Sequence, residues 1–212
     1  MNSPATLDSP SGKRARAKAA NRQAILEAAR AVFARIGYDA TTVRDIIRET
    51  DLAAGTFYNY FRSKEEVFEA LAVESTRRFR PRLKEVRERA TDFESFIEGA
   101  YRAYFDFLAG ENEDAIRHGA PHMALIGVRV DTPEMQVIFE DIRADIERML
   151  DRDKLESVDT EYLTAAAVGI ARELGDHMLK RRPIDVDEAT RFATQLLKAG
   201  LTGTLGDVPG SC

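Results

Sequence analysis

Apolar residues recur at three- and four-residue spacing along most of the chain, which is the period of amphipathic helices. The first apolar stripe is formed by Ile25, Ala28, Ala29, Val32, Phe33 and Ile36. Gly37 follows it in the C′ position, where a helix commonly ends with φ > 0. Shorter stripes predict a second helix capped by Thr42 and Asp45, a third over residues 55–61, and a fourth after the N-cap Ser63.

The rest of the chain also has helical periodicity. We predict further helices over residues 82–90, 92–109, 113–127, 133–150, 160–181 and 186–202. Residues that favour helix starts precede four of them, at Asp92, Thr132, Asp159 and Asp185. Residues 1–12 are rich in Ser, Pro and Gly without periodicity, which indicates a disordered lead-in. No stretch alternates with a period of two, so the predicted fold class is all-α.

Charge divides the chain near Lys64. Residues 1–64 contain 11 Lys and Arg against 6 Asp and Glu, whereas the remainder contains 20 against 30, so the net charge is −5. A basic N-terminal part on an acidic body is expected if only one end contacts phosphate groups. We therefore predict a disordered basic arm over residues 1–18, a small helical domain over 19–64 and a larger helical domain over 65–212.

Composition argues against several classes of protein. The only cysteine is Cys212, so neither a disulfide framework nor a thiolate metal cage is available. No apolar run approaches the roughly 18–20 residues that span a bilayer, and none follows the basic N-terminal residues as in a secretory signal. We expect a soluble, cytoplasmic protein without membrane contact. The chain lacks a Gly-rich phosphate loop, a nucleophile elbow and a recognisable Ser/His or Cys/His pairing, so we expect neither an enzyme nor a required cofactor.

The second and third predicted helices, joined by a tight turn, have the plan of a helix-turn-helix, whose second helix lies in the major groove of DNA. Gly55 has no side chain and lets the third helix approach a duplex closely. Groups suited to phosphate oxygens and base edges follow at Thr56, Tyr58, Asn59 and Tyr60. Burial in the core is the alternative for one of the two tyrosines. Lys64 adds a positive charge beside free backbone N–H groups, an arrangement that suits a phosphate.

The runs 41–48 and 52–64 resemble the DNA-binding signature of the tetracycline-repressor (TetR) family, and residues 55–64 carry its most specific part. The resemblance implies an N-terminal helix-turn-helix domain joined to a C-terminal helical domain that binds a ligand and dimerises. It implies that Arg44 contacts a base edge and that Asn59 lies where family members vary with their operators. It assigns mainly to backbone phosphates the residues Thr42, Thr56, Tyr58, Tyr60 and Lys64.

Three positions depart from the pattern of that family. Ala53 stands where a Ser usually caps the third helix, so about 1 kcal/mol of capping is missing. Ala54, which we still place in the DNA-binding set with Gly55, stands where a Lys or another polar residue is common, and one phosphate or base contact is lost. Asp51 stands where Gly is frequent, and it is tolerable because Asp adopts the αL conformation more readily than most residues.

The resemblance implies a sequence-specific transcriptional repressor that a small-molecule effector releases from its DNA operator. Alternatives are a metal-responsive, corepressor-type or activating regulator of the same fold, or a scaffold protein that kept the fold without binding DNA. A palindromic operator requires a homodimer, because half-site spacing mirrors the symmetry of the protein.

The larger domain offers candidates for three further sites. Large side chains of the middle helices could line an effector cavity, although such stripes more often form core, and they are Phe96, Tyr101, Tyr104, Phe105, Met123, Ile126, Phe139 and Tyr162. The predicted dimer face consists of Ala166, Ile170, Leu174, Phe192 and Leu196. Glu173 and His177 have the i,i+4 spacing that can hold a divalent metal with His122, and isolated surface histidines are the alternative.

Overall fold

The computed structural model describes residues 10–113, 133–153 and 158–206, and every regular element in these ranges is an α-helix. The predicted all-α fold class is therefore confirmed. Contacts divide the chain into two compact units, unit 1 (Met1–Leu71) and unit 2 (Ala72–Cys212). No helix within the described ranges combines the length and apolar character that crossing a bilayer requires.

Unit 1 is built from three complete helices and the start of a fourth, namely α1 (Pro10–Ile36), α2 (Val43–Glu49), α3 (Ala54–Tyr58) and α4 (Lys64–Arg89). Its core takes buried side chains from all four, including Ile25, Leu26, Val32, Phe33, Ile46, Phe57, Val67 and Leu71. The predicted end of α1 at Gly37 and start of α2 at Thr42 are confirmed, whereas α3 ends at Tyr58, earlier than the predicted residue 61. Gly37 has φ 84°, and Thr42 and Asp45 form a capping box at α2. Unit 1 extends beyond the predicted border at Lys64, because Phe68 packs edge-on against Phe33 at 5.9 Å between ring centroids.

α1 begins earlier than predicted, at Pro10, which contradicts the disordered arm expected over residues 10–18. The side chains of residues 13–20 are all exposed, so this stretch has no apolar stripe that could indicate a helix. It is helical because Ala, Lys and Arg have high helix propensity and proline is tolerated in a first turn. Residues 1–9 lie outside the described part of the chain.

In its described residues, unit 2 contains the rest of α4 and four further helices, namely α5 (Phe93–Glu111), α6 (Pro133–Asp153), α7 (Thr160–Lys180) and α8 (Val186–Gly206). α5 is the central element, since it packs against α6, α7 and α8 and its buried side chains are mostly aromatic. The predicted starts at Asp92, Asp159 and Asp185 are confirmed, because each carboxylate accepts a bond from a backbone N–H in the first turn. The helix predicted over 113–127 and the start at Thr132 fall mostly or wholly outside the described residues.

α4 runs through Pro81, where the sequence predicts a break and a separate helix over 82–90. A proline inside a helix removes one hydrogen bond and costs about 3 kcal/mol or more. Phe79 and Leu83 on either side are only 4% and 2% exposed in the core of unit 2. Burial of two such side chains contributes about 1.5–3 kcal/mol each, which offsets the proline. Tertiary packing therefore overrides the local break signal.

Candidate nucleic-acid interface

The turn between α2 and α3 is ordered by Thr50. Its backbone N–H donates to the carbonyl of Ile47 at 3.1 Å, and its hydroxyl donates to the same carbonyl at 2.8 Å. The hydroxyl also accepts a bond from the N–H of Leu52 at 3.2 Å. Sequence reasoning overlooked Thr50, although a hydroxyl residue at a helix end is a turn signal. These bonds make the turn short, so α2 and α3 form the predicted helix-turn-helix.

The outer face of α3 is accessible. Its exposed positions are Ala54, Gly55 and Tyr58, and the C-cap residue Asn59 is exposed as well. Tyr58 has 59% of its surface exposed, whereas Thr56 and Tyr60 are half-buried at the edge of this face. A Cβ built at Gly55 would meet no protein atom within 4 Å, so the surface there is open. On the opposite face Phe57 is buried in the core, and this burial orients the helix.

α3 lacks a side-chain cap, as Ala53 predicts. Ala53 has the extended conformation of an N-cap residue, φ −64° and ψ 146°, but makes no side-chain hydrogen bond there. The N–H of Thr56 bonds instead to the Ala53 carbonyl at 2.8 Å. The burial of Phe57 and Phe61 must therefore hold this helix of five residues in place.

α2 presents Thr42 and Arg44 on the exposed surface of unit 1. Asp45 accepts bonds from the hydroxyl of Thr42 at 2.5 Å and from its N–H at 2.9 Å. These bonds hold the pKa of Asp45 below its ordinary value, so the carboxylate stays charged and the cap stays closed near neutral pH. The capping box therefore fixes the helix on which the Arg44 guanidinium is displayed.

An exposed ion pair that sequence reasoning missed links α1 to α2. Arg35 Nη2 lies 2.7 Å from Glu49 Oε2. The hydrogen bond and the charge of Arg35 lower the pKa of the Glu49 carboxyl. Because both side chains are exposed, the pair contributes little free energy to the packing of the two helices.

Lys64, predicted to contact a phosphate, lies half-buried at the start of α4. Its ammonium donates to the backbone carbonyls of Tyr38 at 2.9 Å, Asp39 at 3.2 Å and Thr41 at 3.0 Å. The neighbouring Ser63 accepts a bond from the N–H of Glu66, as the predicted cap requires. The structure thus brings Lys64 to the loop between α1 and α2, and not to the exposed face of α3.

The predicted effector-lining residues occupy different environments in unit 2. Four lie in the core on α5, namely Phe96, Tyr101, Tyr104 and Phe105. Phe139 is half-buried on α6, and Tyr162 on α7 is 77% exposed, contrary to a place inside a cavity. Met123 and Ile126 lie outside the described residues. Only the α5 group is therefore gathered in one place.

Two of these tyrosines differ in how their hydroxyls are satisfied. The Tyr101 hydroxyl donates to the Ala167 carbonyl at 3.3 Å. The Tyr104 hydroxyl is buried without a hydrogen-bond partner in the described part of unit 2. Burial raises the pKa of both phenols, so both stay protonated and can donate.

A groove of about 460 Å³ opens between α4 and α5 within unit 2. Its walls combine Arg82, Arg89 and Arg102 with small residues such as Gly99 and Ala103. None of the predicted effector-lining residues belongs to it. The groove and the aromatic core are therefore separate features of unit 2.

The predicted dimer face lies on α7 and α8, which pack against each other. Phe192 and Leu196 are 54% and 49% exposed, Ala166 is exposed, and Ile170 and Leu174 are half-buried. Phe192 and Leu196 of α8 therefore face outward from the protomer, whereas Leu197 and Leu201 of the same helix are buried in the core.

The predicted metal site is only partly described, because His122 lies outside the described ranges. Glu173 and His177 are both exposed on α7. The Glu173 carboxylate accepts bonds from the Arg172 guanidinium at 2.8 and 3.0 Å. Among the residues with described positions, no three His, Cys, Asp or Glu side chains gather as metal ligands.

The helix-turn-helix region matches a known family. Residues 25–71 match the model of the bacterial regulatory proteins of the tetR family. The HTH-type transcriptional repressor Rv1474c of Mycobacterium tuberculosis is 43% identical over 60 residues, which cover 28% of this chain and 32% of that protein. The chain matches less than half of the length of the curated relatives.

Solved structures extend the likeness of fold to both units. The fatty acid degradation regulator FadR from Bacillus halodurans has a TM-score of 0.66 and 22% identity, covering 85% of this chain and 96% of its own. FadR from Bacillus subtilis, in complex with stearoyl-CoA, has a TM-score of 0.65 and 20% identity, covering 84% of this chain and 98% of its own.

Proposed function

We propose that the chain is a member of the tetR family of bacterial regulatory proteins and that it is a sequence-specific DNA-binding transcriptional repressor. It binds a palindromic operator as a homodimer, responds to a small-molecule effector and acts in the cytoplasm. No catalytic role is proposed, because the relatives are named as transcriptional regulators and repressors.

The observation that carries this proposal is the outer surface of α2 and α3, the recognition surface, formed by Arg44, Gly55, Tyr58 and Asn59. All four positions are exposed. A guanidinium can bind a guanine edge in bidentate fashion, an amide can do the same with adenine, and a tyrosine hydroxyl can reach a phosphate. The open surface at Gly55 lets the backbone of α3 approach the duplex.

Substitution of Arg44 tests the proposal. The purified full chain is first used to select a duplex from a random library, beginning with fragments from beside its own gene. Arg44→Ala should weaken binding to the selected duplex by about 1–3 kcal/mol, which is roughly 5- to 150-fold, because a bidentate base contact is lost. Gel shift at fixed salt measures the change.

Arg89→Ala is the matched control, because Arg89 is likewise an exposed arginine but belongs to unit 2. It should bind the selected duplex as the wild-type chain does. Selection of no duplex, or equal affinities for the Arg44→Ala and Arg89→Ala variants, would leave the repressor proposal without its main support.

The effector is proposed to be an amphipathic molecule with a long apolar part and a polar end. The aromatic side chains of α5 supply apolar contact, and the buried Tyr104 hydroxyl supplies a donor that lacks an internal partner among the described residues. The stearoyl-CoA complex of the FadR neighbour supports an acyl compound as a first probe. Stearoyl-CoA should raise the thermal midpoint of the full chain and weaken its binding to the selected duplex.

The homodimer is supported by the exposed apolar side chains of α7 and α8. Phe192, Leu196 and Tyr162 are respectively 54%, 49% and 77% exposed in the protomer. A second copy of the same face would remove them from water, as an isologous two-fold interface does. Tyr162 is thus better accounted for as part of this face than as a cavity residue.

A further inference from the structure

The hydrogen-bond donors of the Lys64 ammonium are all satisfied by groups of the protein itself. It has three N–H donors, and three backbone carbonyls, those of Tyr38, Asp39 and Thr41, accept from it at 2.9–3.2 Å. The Tyr38 ring also lies under the ammonium, with 4.6 Å from Nζ to its centroid. A phosphate contact by Nζ would have to break at least one of these bonds.

The three carbonyls belong to the loop between α1 and α2, residues 37–42, which we call the entry loop. Gly37 opens it with φ 84°, and Thr42 closes it as the cap of α2. Thr41 is 1% exposed, and its hydroxyl donates to the Gly37 carbonyl at 2.7 Å. The three carbonyls accept charge-assisted hydrogen bonds from the same ammonium, and together these bonds hold the loop closed.

Tyr38 ties the same loop to α4 by a second set of contacts. Its ring packs against Phe33 at 5.5 Å and Phe68 at 4.7 Å between centroids, and its hydroxyl donates to Glu65 at 3.3 Å. Its burial, together with the nearby Glu65 charge, raises the pKa of the phenol, so this donor persists at neutral pH. Lys64 and Tyr38 thus both connect the entry loop to α4.

We propose that Lys64 is a positioning residue that holds the entry loop, and through it α2 with Arg44, instead of a charge that contacts DNA phosphate. The consequence for DNA rests on the proposed function, whereas the consequence for the entry loop does not. Geometry explains why lysine is required. An ammonium directs three donors around one point, whereas the planar guanidinium of arginine spreads five in a plane and cannot converge on the same carbonyls.

The Lys64→Arg variant therefore separates the two roles, since it keeps the charge and loses the geometry. Lys64→Met keeps the aliphatic stem and loses both. Lys84→Arg, at an exposed position on α4 in unit 2, is the matched control. All variants are made in the full chain, and the proton exchange of the Lys64 ammonium in the wild-type chain is compared with that of Lys84 by ¹⁵N NMR.

Amide hydrogen exchange reports on the entry loop without DNA. We expect residues 38–45 to exchange at least about tenfold faster in both Lys64 variants, because the bonds to a charged donor are lost. The control should leave the loop unchanged. In the wild-type chain the Lys64 ammonium protons should exchange more slowly than those of Lys84, a measurement that does not depend on how any variant folds.

Salt-dependent binding to the selected duplex reports on recognition. If Lys64 is a positioning residue, Lys64→Arg should bind the duplex as weakly as Lys64→Met, at least about tenfold below wild type. The slope of log K against log salt concentration should stay unchanged in both variants. A phosphate contact predicts instead wild-type binding by Lys64→Arg and a slope smaller by about 1 for Lys64→Met.

Wild-type loop protection in Lys64→Arg, or equal ammonium exchange of Lys64 and Lys84, overturns the positioning role. Wild-type DNA affinity in Lys64→Arg also overturns it. If the loop changes as expected while the wild-type chain binds no duplex, the repressor function fails and the positioning of the entry loop stands by itself.

Discussion

At the scale of single residues, the Tyr104 hydroxyl is one of the buried polar groups without a hydrogen-bond partner among the described residues of unit 2. The ring packs edge-on against Phe79 and Phe105, both with 5.7 Å between centroids, and the hydroxyl has no acceptor there. An unpaired buried hydroxyl costs about 1–3 kcal/mol. A group that costs free energy in the empty protein and gains a partner from a ligand is well suited to an effector site.

Tyr104→Phe should therefore leave the free energy of unfolding of the empty chain unchanged or raise it by about 1 kcal/mol. The same variant should bind the acyl-CoA probe more weakly, because the donor for its polar end is gone. Chemical denaturation and calorimetric titration measure the two effects. Tyr101→Phe is the control, since it loses an existing bond to Ala167 and should be destabilised. Loss of stability in Tyr104→Phe would show that its hydroxyl already has a partner.

Single residues in unit 1 also differ in how well their hydrogen bonds can be predicted from the sequence. The capping pair Thr42 and Asp45 acts over three positions, so its spacing alone predicts the bond. The partners of Lys64 lie 23 to 26 positions earlier in the chain. No local pattern marks such carbonyl acceptors, because every residue has one.

At the scale of elements, the packing of α7 on α5 depends on Gly175, which is buried in unit 2. A Cβ built there would lie 2.5 Å from Leu108 Cδ1 and 3.1 Å from Tyr104 Cε1. Real Cβ atoms do not approach so closely, so the helices are in contact because this position has no side chain.

Gly175→Ala should destabilise the protein by up to about 2 kcal/mol, since overpacking costs about 1–3 kcal/mol and the helix-propensity gain offsets about 1 kcal/mol of it. Thermal unfolding followed by circular dichroism measures the shift. Gly110→Ala on α5 is the matched control, because a Cβ there meets nothing within 4 Å, and it should be neutral or stabilising. A Gly175→Ala chain as stable as Gly110→Ala would refute close packing at this point.

The helices also show where hydrophobic periodicity predicts their bounds correctly and where it does not. The stripes of α5, α7 and α8 are predicted nearly at their true bounds, because each helix buries one face and exposes the other. The side chains of residues 13–20 in α1 are all exposed, and Pro81 is a break signal in the sequence that α4 does not follow. In both helices, the extent of the helix in the structure differs from the extent of the apolar pattern from which it was predicted.

At the scale of the whole molecule, the exposed apolar side chains of α7 and α8 determine the proposed assembly. We expect Phe192→Glu combined with Leu196→Glu to convert a dimer into a monomer, because each dimer would bury four new charges without partners. Sedimentation velocity measures the mass. The variant should also lose affinity for the selected duplex, since two half-sites are no longer bound by one particle.

Val137→Glu is the control for that experiment. Val137 is 46% exposed on α6, outside the predicted dimer face, so the substitution should leave the mass unchanged. A wild-type chain that sediments as a monomer at micromolar concentration, or a double variant that remains dimeric, would contradict an interface on α7 and α8.

The sequence by itself determined the helical class, the caps at Thr42, Asp92 and Asp159, and the helix-turn-helix. These features depend on periodicity, short-range hydrogen bonds and a contiguous motif, all of which act within a few residues. The tertiary structure alone decided that α4 continues through Pro81, that Tyr162 is exposed and that Lys64 closes the entry loop. Each of these depends on which surfaces meet across distant parts of the chain, and on the free energy that their burial contributes.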